Sequence, residues 1–173
     1  MELTTIKERI FEIFNINSVD QVFTPALETV LNHKTDVYNK YVKAVEGDLS
    51  QDYLQKVYQY YCADRENLGQ DYTPLSLGKL LGAITKDTKK IVDVCSGSGA
   101  LTIQAWNVNP NRTFTCYEVD ERAVAILLFN LCVRNIEGYV HHQDLFDDKK
   151  KKVYKLTKDT DYSIVEVKHD SRN

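Results

Sequence analysis

The chain has 173 residues, of which 43% are hydrophobic and 27% are charged, so its size and composition are those of one globular domain. No apolar run approaches the roughly 18 to 20 residues of a membrane span. The N-terminal residues also lack the basic-then-apolar order of a signal peptide. Both observations predict a cytoplasmic protein without a membrane segment. A formal net charge of −3 argues against a general nucleic-acid-binding surface, so any phosphate-binding patch has to be local.

Residues 1–68 predict a helical N-terminal subdomain. Apolar residues recur there at helical spacing in four segments, as in Ile6, Ile10 and Phe14. An aromatic stripe in the last segment, which includes Tyr58, is expected to serve packing. Capping residues predict where the helices begin. The predicted starts are Thr4 or Thr5, Thr24 with Pro25 in the first turn, Thr35, and Ser50.

Residues 69–173 alternate between helix and strand patterns. The alternation predicts an α/β, Rossmann-like domain with a parallel, doubly wound sheet. A ligand of such a domain binds at the carboxyl ends of the strands. We expect the domain to be incomplete at its C-terminus. The predicted elements are a helix from Leu75 to Ile84, a strand from Ile91, a helix from near Ala100, a strand over 113–119, a helix from Asp120, and strands over 139–144 and 162–167.

A glycine loop follows the first of these strands. Two glycines, Gly97 and Gly99, allow backbone N–H groups to approach a ligand closely. A dinucleotide-binding loop would have a third glycine where this chain has Thr102, and Asp93 would repel a pyrophosphate. S-adenosylmethionine (SAM) instead has an ammonium and a sulfonium, which a carboxylate attracts. The loop therefore favours SAM, with a purely structural turn as the alternative.

Acidic residues end three successive predicted strands: Asp93, Glu118 and Asp144. Strand ends of a parallel sheet face one crevice, so these side chains are expected to converge on one ligand. Glu118 would accept the ribose hydroxyls, and Asp144 the adenine amine, with Leu145 against the ring. Asp93 and the loop, including Ser96, would hold the amino-acid end of SAM.

Histidine and cysteine spacing does not predict a metal site. The four cysteines are far apart and form no Cys-x-x-Cys pair. His141 and His142 are adjacent, and on a strand they would point to opposite faces. The lysine run Lys149–Lys152 is expected to be a solvated loop, with a phosphate-contacting loop as the alternative.

Four motifs together resemble the N6-adenine DNA methyltransferases, in particular the modification subunits of type I restriction systems. The resemblance covers residues 50–146 and implies SAM as the cofactor. It also implies that Tyr72, Thr73 and Pro74 form a segment folding over SAM, that Gly97 and Gly99 form its loop, and that Glu118, Asp144 and Leu145 contact ribose and adenine. The motifs are Gly69–Pro74, Asp93–Leu101, Tyr117–Asp120 and Gln143–Phe146.

One motif of that family is missing. These enzymes have Asn-Pro-Pro-aromatic after the fourth strand to hold a flipped-out adenine, whereas Lys168–Ser171 follows the strand predicted over 162–167. We therefore expect the SAM-binding portion of a DNA adenine-N6 methyltransferase of a restriction-modification system, not catalytically complete alone. DNA would be contacted through partner subunits or a missing domain, and pairing as a homodimer or with restriction-modification subunits is expected. The alternative is a non-catalytic SAM-fold protein that docks on such a complex or on DNA.

Overall fold

The computed structural model describes residues 2–61, 74–147 and 150–168. Helices come first along the chain and strands alternate with helices later. A short 3-10 turn, Val19–Gln21, precedes the second helix. The helices are α1 (Leu3–Phe14), α2 (Phe23–Leu31), α3 (Thr35–Ala44), α4 (Tyr53–Tyr61), α5 (Leu75–Ile84), α6 (Ala100–Val108) and α7 (Glu121–Val133); the strands are β1 (Lys90–Asp93), β2 (Thr113–Glu118), β3 (Glu137–Gln143), β4 (Lys150–Thr157) and β5 (Ile164–Lys168).

The N-terminal helices pack on α7 through aromatic side chains. Phe129 of α7 is fully buried, and its ring lies 5.3 Å from that of Phe14, 5.3 Å from Tyr38 and 5.1 Å from Tyr41. Aromatic rings bury large apolar areas and favour such edge-on and tilted contacts. Helices α1 and α3 thus share one hydrophobic core with the α/β part. The domain boundary predicted between residues 68 and 69 lies outside the described residues and stays a prediction.

Three of the four predicted helix starts were misplaced. Helix α1 follows Glu2, so Thr4 and Thr5 lie inside it, and α2 begins at Phe23, so Thr24 and Pro25 lie in its first turn. Helix α4 begins three residues after Ser50, because Asp52 is its cap: the Gln55 N–H donates to Asp52 Oδ1 at 2.9 Å. The start of α3 at Thr35 is confirmed.

The five strands form one sheet in the order β1-β2-β3-β4-β5. Strands β1, β2 and β3 are parallel and joined by α6 and α7, which confirms an α/β, Rossmann-like fold. Within residues 2–61, 74–147 and 150–168 the sheet is not doubly wound, because no described strand lies on the other side of β1, and β4 and β5 are antiparallel to their neighbours. The strand predicted over 162–167 is therefore the fifth. The loop predicted at Lys149–Lys152 is wrong for Lys150, Lys151 and Lys152, which begin β4, the strand that pairs with β3, and Lys149 lies outside the described residues.

Helices cover one face of the sheet, whereas the described residues leave the other face open. The two crossover connections, β1 to β2 through α6 and β2 to β3 through α7, run in the same direction along the sheet. Because such connections are right-handed, α6 and α7 lie on the same face. Alternate residues such as Phe114, Cys116 and Val140 are buried, whereas Tyr139 on the opposite face is 42% exposed. Among the described residues, no helix has both the length and the apolar character needed to cross a bilayer.

Candidate functional site

The glycine loop connects β1 to α6 through a tight turn. The Ser96 hydroxyl donates to the Asp93 carbonyl at 2.9 Å, and the Ser96 N–H donates to the Tyr117 carbonyl at 3.0 Å. The Gly99 N–H then donates to the Ser96 carbonyl at 2.8 Å. Ser96 is buried, so its side chain holds the turn closed. The chain enters α6 directly at Ala100, and the positive end of this helix dipole lies at the loop.

Both glycines have backbone conformations that side chains disfavour. Gly97 has φ +53°, with open space around the position that a Cβ would occupy. Gly99 has φ +98°, and a Cβ there would lie 2.8 Å from Cδ1 of Leu127 in α7. The second glycine therefore serves both the turn and the packing of the loop on α7, while the first leaves the loop surface free for a ligand.

Glu118 ties the end of β2 to this loop. Its Oε2 accepts from the Gly97 N–H at 2.8 Å, and its Oε1 accepts from the Val119 and Asp120 N–H groups, each at 2.8 Å. An ionised carboxylate has about four acceptor positions, so these bonds leave about one for a ligand hydroxyl. The carboxylate is thereby held in one orientation beside the glycine loop.

A cavity of about 410 Å³ opens next to Glu118. Its walls come from both parts of the chain, because Phe23 of α2 and Tyr58 of α4 line it together with Gly97 and Glu118. The volume falls in the range of ligand sites for small molecules, and the mixture of apolar walls with few polar groups is typical of them.

An aromatic pair forms the helical wall of this cavity. The rings of Phe23 and Tyr58 meet edge to face with centroids 5.6 Å apart. The guanidinium carbon of Arg122, another lining residue, lies 5.7 Å from the Phe23 ring centroid, within cation–π distance. The wall therefore combines flat apolar surfaces with one positive charge.

A buried arginine holds the start of α4, and with it Tyr58, in place. Arg134 Nε donates to the Leu49 carbonyl at 2.8 Å, and its terminal nitrogens donate to the Gln51 carbonyl at 2.9 Å and the Asn130 carbonyl at 2.7 Å. Burial lowers the pKa of this guanidinium, while Tyr41 and Asp52 raise it. Because unpaired buried charges are costly, these bonds make the loop before α4 a fixed part of the core.

Asp93 lies beneath the glycine loop. The Thr102 hydroxyl of α6 donates to Asp93 Oδ2 at 2.9 Å, and Asp93 is not among the lining residues of the cavity. Burial raises the pKa of the Asp93 carboxyl, partly offset by the hydrogen bonds from Thr102 and from the Cys95 N–H. Its predicted contact with the amino-acid end of SAM stays a prediction.

Several other predicted site residues either do not line this cavity or lie outside the described residues. Asp144 Oδ1 accepts from the Phe146 N–H at 2.9 Å, and Leu145 is 44% exposed; neither lines the cavity. Pro74 precedes α5 and lines a separate cavity of about 330 Å³ beside α4 and α6. Tyr72 and Thr73 lie outside the described residues. Of the predicted residues, Ser96, Gly97 and Glu118 line the same cavity.

Residues 77–157 match the family model of the methyltransferase small domain. The match begins within α5, contains the glycine loop and Glu118, and ends with β4. It supports a SAM-dependent methyltransferase fold for this part of the chain, and SAM is the usual cofactor of that family. Comparison with curated proteins and with solved structures gave no match.

Sequence reasoning missed the helical side of the cavity, which lies outside the matched methyltransferase small domain. Phe23 directly precedes the helix start predicted at Thr24 and was not predicted to be a site residue, and Tyr58 was predicted only to serve packing. The available signal was an aromatic residue directly before Thr24-Pro25. That signal did not predict a ligand site, because contact with the glycine loop depends on how α2 and α4 dock on α7.

Proposed function

We propose that this chain binds SAM in the cavity between the glycine loop and helices α2 and α4. The observation that carries the proposal is the Glu118 carboxylate, fixed to the Gly97 N–H at the mouth of a cavity with an aromatic wall. A ribose hydroxyl would donate to the remaining acceptor position of Glu118. The match to the methyltransferase small domain supports the same cofactor.

The remaining groups of SAM suit the rest of the cavity. The N–H groups of the loop and the N-terminus of α6 favour an anion, so they would bind the carboxylate of the methionine part. Adenine would stack on the Phe23 and Tyr58 rings, which present apolar faces. Asp93 would stabilise the cationic end of SAM from beneath the loop, and Asp144 with Leu145 would contact the outer edge of adenine.

We further propose that the methyl group is destined for the N6 amine of adenine in DNA, within a restriction-modification system. This proposal derives from the motif order Gly69–Pro74, Asp93–Leu101, Tyr117–Asp120 and Gln143–Phe146. SAM is already a strong electrophile, so the reaction would depend chiefly on positioning the amine against the sulfonium. DNA would be bound with the help of partner subunits.

The position of β5 bears on how the acceptor base would be held. Strand β5 ends at Lys168 and is four strand spacings from β1, or about 19 Å. Residues 169–171, the rest of the segment where the resemblance expects Asn-Pro-Pro-aromatic, lie outside the described residues. A base held at the end of β5 would be too far from a methyl group at the glycine loop, so we propose that the described residues do not supply the group that binds the acceptor base.

The same observation favours a second candidate function. A chain that binds SAM, and whose described residues form no acceptor site near the glycine loop, would act as a SAM-responsive regulator that docks on a restriction-modification complex or on DNA. In this case SAM would be a bound signal and no methyl group would leave it.

Two measurements distinguish these functions. Calorimetry with SAM and S-adenosylhomocysteine, with NAD as the nucleotide control, tests the cavity; the expected result is SAM binding without NAD binding, and absence of SAM binding would overturn both candidates. Transfer of tritiated methyl groups to unmethylated DNA then separates them. Turnover supports the methyltransferase, whereas SAM binding without turnover under any tested condition supports the regulator.

A further inference from the structure

An amide side chain interrupts the apolar core helix α7 next to the glycine loop. Asn130 is fully buried and lies within residues 124–133, which are otherwise apolar. Its side-chain nitrogen, Nδ2, donates to the Ser98 carbonyl at 3.0 Å. Ser98 lies between the two loop glycines and lines the cavity, whereas Asn130 is not among the lining residues. Because an unpaired buried amide is costly, this hydrogen bond accounts for an asparagine in the core.

Arg134 fixes the orientation of this amide. Its guanidinium donates to Asn130 Oδ1 at 3.1 Å and to the Asn130 backbone carbonyl at 2.7 Å. A guanidinium has donors only, so the amide oxygen has to face Arg134. The amide nitrogen therefore faces the Ser98 carbonyl, since a flipped amide would place one acceptor against another.

The same arginine holds the segment before α4. All three backbone carbonyls of residues 49–51 accept hydrogen bonds from side chains of other elements. Arg134 donates to the first and the third, and Gln104 and Asn107 of α6 both donate to the second at 2.8 Å. A continuous series of hydrogen bonds thus runs from the start of α4, through Arg134 and Asn130, to the glycine loop. It joins the helical wall of the cavity to the loop wall.

The Ser98 carbonyl needs a constraint from outside the loop because glycines flank it. The peptide group between Ser98 and Gly99 can turn over at little steric cost, since glycine adopts positive and negative φ about equally readily. Turned away from Asn130, the carbonyl oxygen would add a partial negative charge to a loop whose N–H groups favour an anion. The hydrogen bond from the Gly99 N–H to the Ser96 carbonyl would break as well, because the N–H and the carbonyl share one rigid peptide plane.

We infer that Asn130 is a positioning residue for the cofactor, which holds the Ser98 carbonyl against α7 so that the glycine loop keeps the conformation in which it binds SAM. Through Arg134, the same side chain makes the arrangement of the loop depend on the docking of α4. This inference deepens the proposed function and rests on it, because the cofactor concerned is SAM. Asn130 acts only through the loop.

The test replaces the amide by a carboxylate of the same shape. In Asn130→Asp the side chain still accepts from Arg134, whose charge offsets repulsion from nearby Asp52, so the fold is expected to form. The ionised carboxylate cannot donate to the Ser98 carbonyl. Calorimetry should therefore show SAM affinity about tenfold weaker or worse, and thermal unfolding of the variant checks that it is folded.

Asn107→Asp is the matched control. It also removes an amide donor from a backbone carbonyl, but Gln104 still donates to that carbonyl, so SAM affinity should match that of the unchanged chain. A second measurement needs no variant and decides the question if Asn130→Asp does not fold. In NMR spectra of the unchanged chain, SAM should shift the side-chain amide signals of Asn130 and leave those of Asn107 in place.

The results separate failure of the positioning role from failure of the site. Unchanged SAM affinity in Asn130→Asp, equal losses in the two variants, or Asn130 amide signals that SAM does not shift would overturn the positioning role and leave the proposed function standing. Absence of SAM binding by the unchanged chain would overturn the proposed function. Hydrogen exchange then still decides whether Asn130 holds the loop: the Gly99 N–H should exchange at least about tenfold faster in Asn130→Asp than in Asn107→Asp, and equal rates would refute it.

Discussion

The carboxylate of Glu118 accepts a hydrogen bond from the backbone N–H of Gly97 at 2.8 Å, so the end of β2 holds the loop that follows β1. Two strand ends of the parallel sheet thereby form one rigid corner. The corner lines a cavity whose other wall belongs to the N-terminal helices. Ligand binding at this corner depends on a charge, a turn and an aromatic wall, and each can be changed separately.

Replacing Glu118 by alanine should lower SAM affinity by about 100-fold, because hydrogen bonds to a charged group contribute about 1.5–3 kcal/mol each. The melting temperature should fall by only a few degrees, since the freed N–H groups at the end of β2 can bind water. Calorimetry and thermal unfolding measure the two effects. Glu121→Ala is the control, as Glu121 begins α7 outside the cavity lining and should leave SAM affinity unchanged. Unchanged affinity in Glu118→Ala would refute the proposed site.

The two loop glycines should respond differently to alanine. Gly99→Ala should reduce the free energy of unfolding by about 2–3 kcal/mol, because it combines an unfavourable φ with a contact against buried Leu127. Gly97→Ala meets open space and should cost about 1 kcal/mol, the usual penalty of the left-handed region. Urea unfolding of both variants gives the comparison. Equal losses would mean that the contact with Leu127 does not constrain the loop.

Local patterns in the sequence predicted the elements that form the glycine corner. The apolar run before Asp93 predicted β1, and helix α5 begins and ends at the predicted residues, Leu75 and Ile84. Such elements depend on nearby residues, namely an apolar period, a proline before the helix, or glycines in a turn. The short range of these signals explains why they could be interpreted without the fold.

Longer-range features could not be predicted in the same way. Strand β4 was missed because lysines dominate its composition, although Tyr154 and Leu156 alternate on its buried face. The strand order was also missed, since pairing of β4 with β3 is a choice between distant segments. The cavity wall at Phe23 and Tyr58 depends on how α2 packs on α7, a contact between distant segments that no local pattern predicts.

Shortening the aromatic wall should weaken SAM binding with little loss of stability. Phe23→Leu removes the flat ring facing the cavity, and we expect about fivefold to tenfold weaker SAM binding, consistent with roughly 1 kcal/mol for an aromatic stack. Phe11→Leu is the matched control, because Phe11 packs against the core outside the cavity lining. Equal SAM affinity in the two variants would remove adenine stacking from the proposal and leave Glu118 as its support.

The pH dependence of stability should report the burial of Asp93. Burial raises the folded-state pKa of this carboxyl above its ordinary value of 3.8, so between the two values the folded protein binds more protons than the unfolded chain. Its contribution to stability is therefore fully present below pH 3.8 and decreases as pH rises through the folded-state pKa. Asp93→Asn cannot ionise, so the stability of this variant relative to the unchanged chain should increase with pH and then level off.

Urea unfolding of both proteins between pH 4 and pH 8 measures this difference. Comparing the two proteins cancels the contributions of the other titrating groups. One of these is Asp48, whose pKa is lowered to about 2 because hydrogen bonds from Ser50 and Tyr53 outweigh the effect of its burial. Thr102→Val gives a control in the opposite direction. The Thr102 hydroxyl stabilises the ionised form of Asp93, so its removal should steepen the loss of stability with pH. Parallel pH profiles for the unchanged chain and Asp93→Asn would mean that the Asp93 carboxylate is solvated in the folded protein and free to meet a ligand directly.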